Sequence, residues 1–179
     1  MQNFDFCSPT ELVFGRGVET EIGTRLARRF PGGKVFLVYG GGSIKRTGLY
    51  DRVKQSLLDA GLSVREKGGV HPNPEVGFIR ELIAEAREWR PDVLLAVGGG
   101  SVIDTVKAAS MGIPYDGDVW DFFIGRAVCE KATPISVILT IPAAGSELSM
   151  RVVVTNGEKK LGTASQHIRS FMSLIDPEL

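Results

Sequence analysis

The stretch "DVLLAVGGGSVIDTVKAAS", residues 92–110, limits the fold more than any other part of the chain. Residues 93–97 are apolar without interruption, too short a run for a buried helix, and read as a strand buried on both faces. Such strands occur in parallel sheets covered by helices. Gly98, Gly99 and Gly100 break the run, and Val102, Val106 and Ala109 resume it at helical spacing. In a doubly wound sheet, a turn of this kind lies at the carboxyl end of a strand. There the N-terminus of the next helix offers unpaired N–H groups and a positive partial charge.

The same alternation runs along the chain. "KVFLVYG" (34–40) predicts a buried strand, followed by a helix over about 44–60 and a weaker strand in "LSVREK". A helix over 75–90 puts Val76, Ile79, Leu82, Ile83 and Ala86 on one face, and Pro91 stops it. The helix after the glycines is expected over 102–111, with further strands in "ISVILTIP" (135–142) and "FMSLID". "TELVFGRG" predicts an edge strand, paired within the molecule or with a partner. "VVVTNGEKKLG" carries Asn156-Gly157 between two extended runs, which signals a hairpin with a type I′ turn. The expected class is α/β, a Rossmann-like, mostly parallel sheet flanked by helices, with residues 1–179 forming one domain.

Composition narrows the partners. In 179 residues, 21 Lys and Arg balance 21 Asp and Glu, and 43% of the chain is hydrophobic. A core can form without disulfides, and no nucleic-acid partner is expected. No apolar run approaches the ~20 residues needed to span a bilayer. The start, "MQNFDFCSPTELVFG", lacks a basic region leading into an apolar one. The expectation is a soluble, cytoplasmic protein with no membrane partner. Cys7 and Cys129, without CxxC spacing, fit reduced thiols, and Cys129 is expected as a small buried residue rather than a nucleophile.

The chemistry lies in the glycine turns. Gly98, Gly99, Gly100 and Ser101 let a bulky anion approach backbone amides, and a pyrophosphate is the natural guest. Neither GxGxxG nor the Walker pattern is present, and the turn also reads as one that merely packs a helix on a sheet. A second turn, "VYGGGSIKRTG" (38–48), follows another strand and precedes another helix. A carboxylate there would accept a hydrogen bond from an adenosine 2′-hydroxyl. Gly40, Gly41, Gly42 and Ser43 supply none, while Lys45 and Arg46 bring donors and positive charge to a 2′-phosphate. NADP is favoured over NAD on this reading; the alternative is that Lys45 and Arg46 are solvated helix residues.

Taken in order, "FGRG", "VYGGGSIKRTG", "GGVHPNPEV", "LLAVGGGSVIDTVKAAS", "LTIPAAGSE" and "LIDPEL" resemble the iron-containing, group III, alcohol dehydrogenase family. The resemblance spans essentially the whole chain and is strongest to the NADPH-dependent butanol dehydrogenase and aldehyde reductase branch. It implies the dinucleotide-binding half of a dehydroquinate synthase-like architecture. By it, Gly41, Gly42 and Ser43 would face the 2′-phosphate, with Asn73 near the adenosine end. Gly99, Gly100 and Ser101 would hold the pyrophosphate. Thr140 and Ser146 would approach the inner phosphate, ribose and nicotinamide, with Lys160 on the nicotinamide ribose and Leu179 at the domain junction. Asp104 reads as a carboxylate near a helix N-terminus that favours the dipole. Ala144, Met150 and Arg151 depart from the residues usual in the family.

The family's reaction depends on a divalent metal, iron or zinc, held by one Asp and three His, while hydride moves to or from the nicotinamide. This chain has only His71 and His167, far apart and without a helical partner, and neither is expected to be catalytic. The ligands normally come from a helical second domain that begins just beyond "IDPEL". The resemblance therefore implies the NADP(H)-binding half of an alcohol or aldehyde oxidoreductase, inactive alone, taking its small alcohol or aldehyde only with that second domain and able to form a homodimer. A different class stays open: a non-catalytic nucleotide-binding or interaction protein, docking through apolar residues around Leu174 and Ile175. A relative of the sugar-phosphate cyclases is a third reading.

Overall fold

The computed structural model describes Asn3 and residues 7–179, so the opening "MQNFDF", read above for the absence of a leader, falls outside it apart from Asn3. Six strands form one fully parallel sheet: β1 (Glu11–Phe14), β2 (Lys34–Tyr39), β3 (Ser63–Lys67), β4 (Val93–Gly98), β5 (Ile135–Leu139) and β8 (Met172–Ile175), in spatial order β1-β8-β5-β4-β2-β3. The antiparallel pair β6 (Arg151–Asn156) and β7 (Lys159–Ala164) makes a separate two-stranded sheet. The class is the Rossmann-like α/β fold expected from the alternation of apolar runs.

Residues alternate across the sheet because successive side chains in a strand point to opposite faces. On one face Val35, Leu37, Tyr39, Leu95 and Val97 meet Ile22 and Leu26 of α1 (Ile22–Arg29), Ile44 of α2 (Ser43–Arg46), and Leu49, Val53 and Leu57 of α3 (Leu49–Asp59). On the other, Phe36, Val38, Leu94, Ala96 and Val137 meet α4 (Val76–Trp89) and α5 (Gly100–Gly112), with Val152 and Val154 of the hairpin. The central strands are buried along their length, which is why they read as unbroken apolar runs.

Four local expectations are corrected. The helix over 44–60 is two helices, α2 and α3, separated at Gly48, whose φ of 73° suits glycine and breaks the first helix after one turn. The hairpin forms, but Asn156 pairs with Lys159, leaving Gly157 and Glu158 as its loop. Positive φ occurs at Gly157 alone of these two, the pattern of a type II′ turn rather than I′. Leu174 is fully buried and Ile175 partly so, which removes the apolar docking surface suggested around them. Cys129 is half-buried rather than enclosed, and burial raises its thiol above the ordinary range.

The strand β1 pairs with β8, Glu11 opposite Met172 and Phe14 opposite Ile175. It lies at the sheet edge, with Leu12 and Phe14 exposed. Crossovers leave β2 toward β3 and β4 toward β5, in opposite directions along the sheet. The carboxyl ends of β2 and β4 therefore flank the topological switch point, where α/β folds take their ligands.

Candidate functional site

The loops after β2, β4 and β5 meet at this edge. The Thr140 amide donates to Gly98 O at 3.2 Å, tying the β5 loop to the β4 turn. Val70 N donates to Tyr39 O and Gly69 N to Gly40 O, laying the loop after β3 against the first glycine turn. Between them a cleft of about 290 Å³ is lined by Ser43, Ile44, Thr47, Thr140, Ile141 and Leu179, with Leu49, Arg52 and Glu178 completing its wall. Arg52 is already neutralised, its Nε 2.9 Å from Glu19 Oε1.

The glycines of the two turns differ in their surroundings. At Gly41, Gly42 and Gly100, a Cβ would meet nothing within 4 Å, so the backbone faces open space. At Gly99 a Cβ would come 3.7 Å from Ile141, ordinary contact with the cleft wall. Gly98 is different: a Cβ there would stand 2.6 Å from Val102 Cγ2, so its role is to let α5 pack on β4. No side chain caps α5, which leaves its first amides, at Gly100 and Ser101, without a side-chain partner among the described residues. An open glycine cradle at an uncapped helix of 13 residues fits a pyrophosphate.

Two sequence-predicted residues pair with each other: Lys160 Nζ donates to Asn73 Oδ1 at 2.8 Å, joining the hairpin to the loop before α4, where Asn73 holds a positive φ of 58°. Ser146 does not present a free hydroxyl. It donates to Asp104 Oδ1 at 2.6 Å, while Asp104 Oδ2 accepts the Val153 amide at 3.1 Å. Asp104 is thus a bracket between α5 and the β6 strand, not only a carboxylate near a helix start. Burial raises its pKa, against the pull of Ser146, the Val153 amide, Lys107 and Lys160. Lys45 turns back over the rings of Tyr39 and Tyr50, 5.0 and 4.7 Å from their centroids, while Arg46 is exposed. Of the two cations read as facing a 2′-phosphate, Lys45 is held elsewhere.

One buried charged side chain beside the site was not singled out from the sequence. Lys107 is fully buried in α5, and its ammonium donates to Ser146 O at 2.6 Å. The signal was present in "VKAASMG", the one cation of a helix whose residues from Thr105 onward are small or apolar and buried, which gives it no solvent face. His71 and His167 are both exposed. Among the described residues, no group of three or more His, Cys, Asp and Glu could hold a metal ion. No helix of the described chain is long and apolar enough to cross a membrane.

A parallel sheet with a switch-point cleft and two glycine turns places the chain in the Rossmann-like class of α/β proteins. Comparison with known proteins makes this specific. Residues 9–177 match the model of the iron-containing alcohol dehydrogenase family, and the chain belongs to that family. It is 46% identical over 180 residues to the probable NADH-dependent butanol dehydrogenase 1 of Bacillus subtilis, matching 99% of this chain and 46% of that protein. It is 35% identical over 183 residues to the NADPH-dependent aldehyde reductase YqhD of Escherichia coli, again over 99% of this chain and 46% of that protein. The crystal structure of NADH-dependent butanol dehydrogenase A from Thermotoga maritima superposes with a TM-score of 0.95 at 43% identity, over 99% of this chain and 45% of that one. The chain therefore spans about half the length of the relatives it matches.

Proposed function

We propose that this chain binds a nicotinamide dinucleotide across the carboxyl ends of β2, β4 and β5, as the cofactor-binding half of an alcohol or aldehyde oxidoreductase. One observation carries the reading: the fold brings Ser43, Thr140 and Leu179 into a single cleft beside the uncapped start of α5. The amides of Gly99, Gly100 and Ser101 would hold the pyrophosphate, with helix dipole and N–H groups both favouring the anion. Thr140 and the wall beginning at Ser146 would orient the nicotinamide end, and the Asn73–Lys160 pair would flank a ribose.

NADP is the preferred cofactor in this proposal, because the turn of Gly41, Gly42 and Ser43 contains no carboxylate to accept a 2′-hydroxyl and leaves open space for a phosphate. Named relatives include both NADH- and NADPH-dependent enzymes, so selectivity rests on this turn. The bound nicotinamide supplies or accepts hydride, and this chain's residues bind and orient it. The described side chains offer no group of three or more ligands for a metal ion. Small alcohols or aldehydes would be turned over only with the second, helical domain of the family, and the chain alone would bind cofactor without turnover. The free edge of β1, with Leu12 at 51% and Phe14 at 67% exposure, is the surface through which two copies would pair as a homodimer.

Titration of the purified chain with NADPH and NADH, followed by calorimetry and by nicotinamide fluorescence, tests the proposal. Saturable binding that weakens when Gly100 is replaced by a bulky residue is expected. Binding to neither cofactor would favour a non-catalytic interaction protein instead.

A further inference from the structure

The segment 146–151 runs from the loop after β5 into Arg151, the first residue of β6, and every one of its carbonyls has a donor. Lys107 Nζ donates to Ser146 O at 2.6 Å, Ser149 O at 2.7 Å and Arg151 O at 3.0 Å, with Ser146 Oγ a fourth neighbour at 3.2 Å. Glu147 O accepts from the hydroxyls of Ser170 and Ser173, Leu148 O from the Arg169 guanidinium, and Met150 O from the Ser165 amide. A loop whose carbonyls are all pinned is a built wall. Lys107 holds half of it from one buried point on α5, the helix that starts at the second glycine turn.

We infer that Lys107 is a positioning residue: as an ammonium it fixes segment 146–151 as a rigid wall beside α5, and its deprotonation frees that wall and, with Ser146 set at the nicotinamide end, weakens cofactor binding. The last clause rests on the dinucleotide reading; the first does not. An ammonium has three protons for three carbonyls, whereas the neutral amine has two, so deprotonation leaves one part-buried carbonyl without its donor.

The charged groups facing Lys107 are Asp104 on the same helix, Glu147 on the wall and Arg169 after the short helical turn Gln166–Ile168. The surfaces of α4, β4, β5 and β6 packed on α5 are apolar, through Ile79, Leu82, Ala96, Val137 and Val152. Burial lowers the Lys107 pKa to about 8, opposed by Asp104 and Glu147 and assisted by Arg169. In the unfolded chain the group keeps its proton to about 10.4. Between these values the unfolded state binds more protons, so this group alone makes the folded state more stable as pH rises. Release of the wall with no loss of global stability is therefore the signature that separates positioning from unfolding.

The test is amide hydrogen exchange on the whole chain without cofactor at pH 7 and 9.5, corrected for intrinsic rates, alongside NADPH titrations at both values. Protection across 146–153 is expected to fall at least tenfold between them, with β4 amides unchanged, and NADPH affinity to fall about tenfold in step. Lys107→Met is expected to show the weak wall and weak affinity at both pH values, and Lys107→Arg to restore part of each. Equal wall protection at the two pH values, or a Lys107→Met wall as protected as the native one, would overturn the inference. If Lys107→Met does not fold by circular dichroism, the native pH series decides alone. A wall that loosens at high pH in a chain that binds no NADPH at any pH would uphold the role of Lys107 in the wall and refute the dinucleotide reading.

Discussion

Two turns in this molecule share the letters GGGS and are embedded in opposite ways. The turn after β2 opens into α2, a helix of only four residues, and at Gly41 and Gly42 a Cβ would meet nothing. The turn after β4 opens into α5, buried from Val102 to Gly112 apart from the Asp104 position, and its first glycine is pressed against Val102. Similar sequence therefore does two jobs. The second turn is locked into the core at Gly98, which cannot gain a side chain without disturbing the packing of α5, while the first is open and is the turn proposed to set the choice of cofactor.

The sharpest way to break this contrast is to add one methyl group to each turn. Gly98→Ala forces its Cβ within 2.6 Å of Val102 and should cost about 1–3 kcal/mol by urea denaturation. Gly41→Ala, with open space and no positive φ, should stay within about 0.5 kcal/mol of the native chain. Equal effects at the two positions would erase the distinction.

Selectivity comes next in size. Ser43→Asp puts a carboxylate where the adenosine ribose would sit, and should weaken NADPH at least tenfold, about 1.4 kcal/mol, while sparing NADH in parallel titrations. Gly42→Ala probes the same turn through its backbone: at a φ of 109° it should lower stability by about 1–2 kcal/mol in thermal melts, an effect of geometry and not of crowding.

The smallest effect lies away from both turns. Arg80 forks onto Asp118, whose Oδ1 also accepts the Trp120 amide, and the guanidinium holds that carboxyl below its usual range. Both side chains are nearly half exposed, so Arg80→Ala should cost no more than about 0.5 kcal/mol. With a depressed folded pKa, the contribution is present above about pH 4 and is lost as pH falls through the folded value. Melts of the native chain and Arg80→Ala should therefore converge in acid, and a constant gap down to pH 2 would contradict the assignment.

Much of this was legible because parallel strands buried on both faces leave unbroken apolar runs. That pattern gave β2, β4 and β5, and the i, i+3, i+4 spacing gave α4. The helix α1 was not read, since only Ile22 and Leu26 mark its buried face amid Arg25, Arg28 and Arg29. The break at Gly48 was invisible to periodicity, which tolerates a glycine in passing. For the site, the turns were readable from glycine chemistry and the cofactor from family resemblance. The pairing of Asn73 with Lys160, and the wall held by Lys107, depend on contacts between residues 87 and 39 to 44 positions apart, which no local pattern encodes.

The most direct measurement is a side-by-side calorimetric titration of the unmodified chain with NADPH and NADH at pH 7. Saturable binding of NADPH, tighter than that of NADH, is the predicted result. Heats indistinguishable from dilution for both cofactors would contradict the assignment of the switch-point cleft, and NADH binding as tight as NADPH would contradict the role given to Gly41, Gly42 and Ser43.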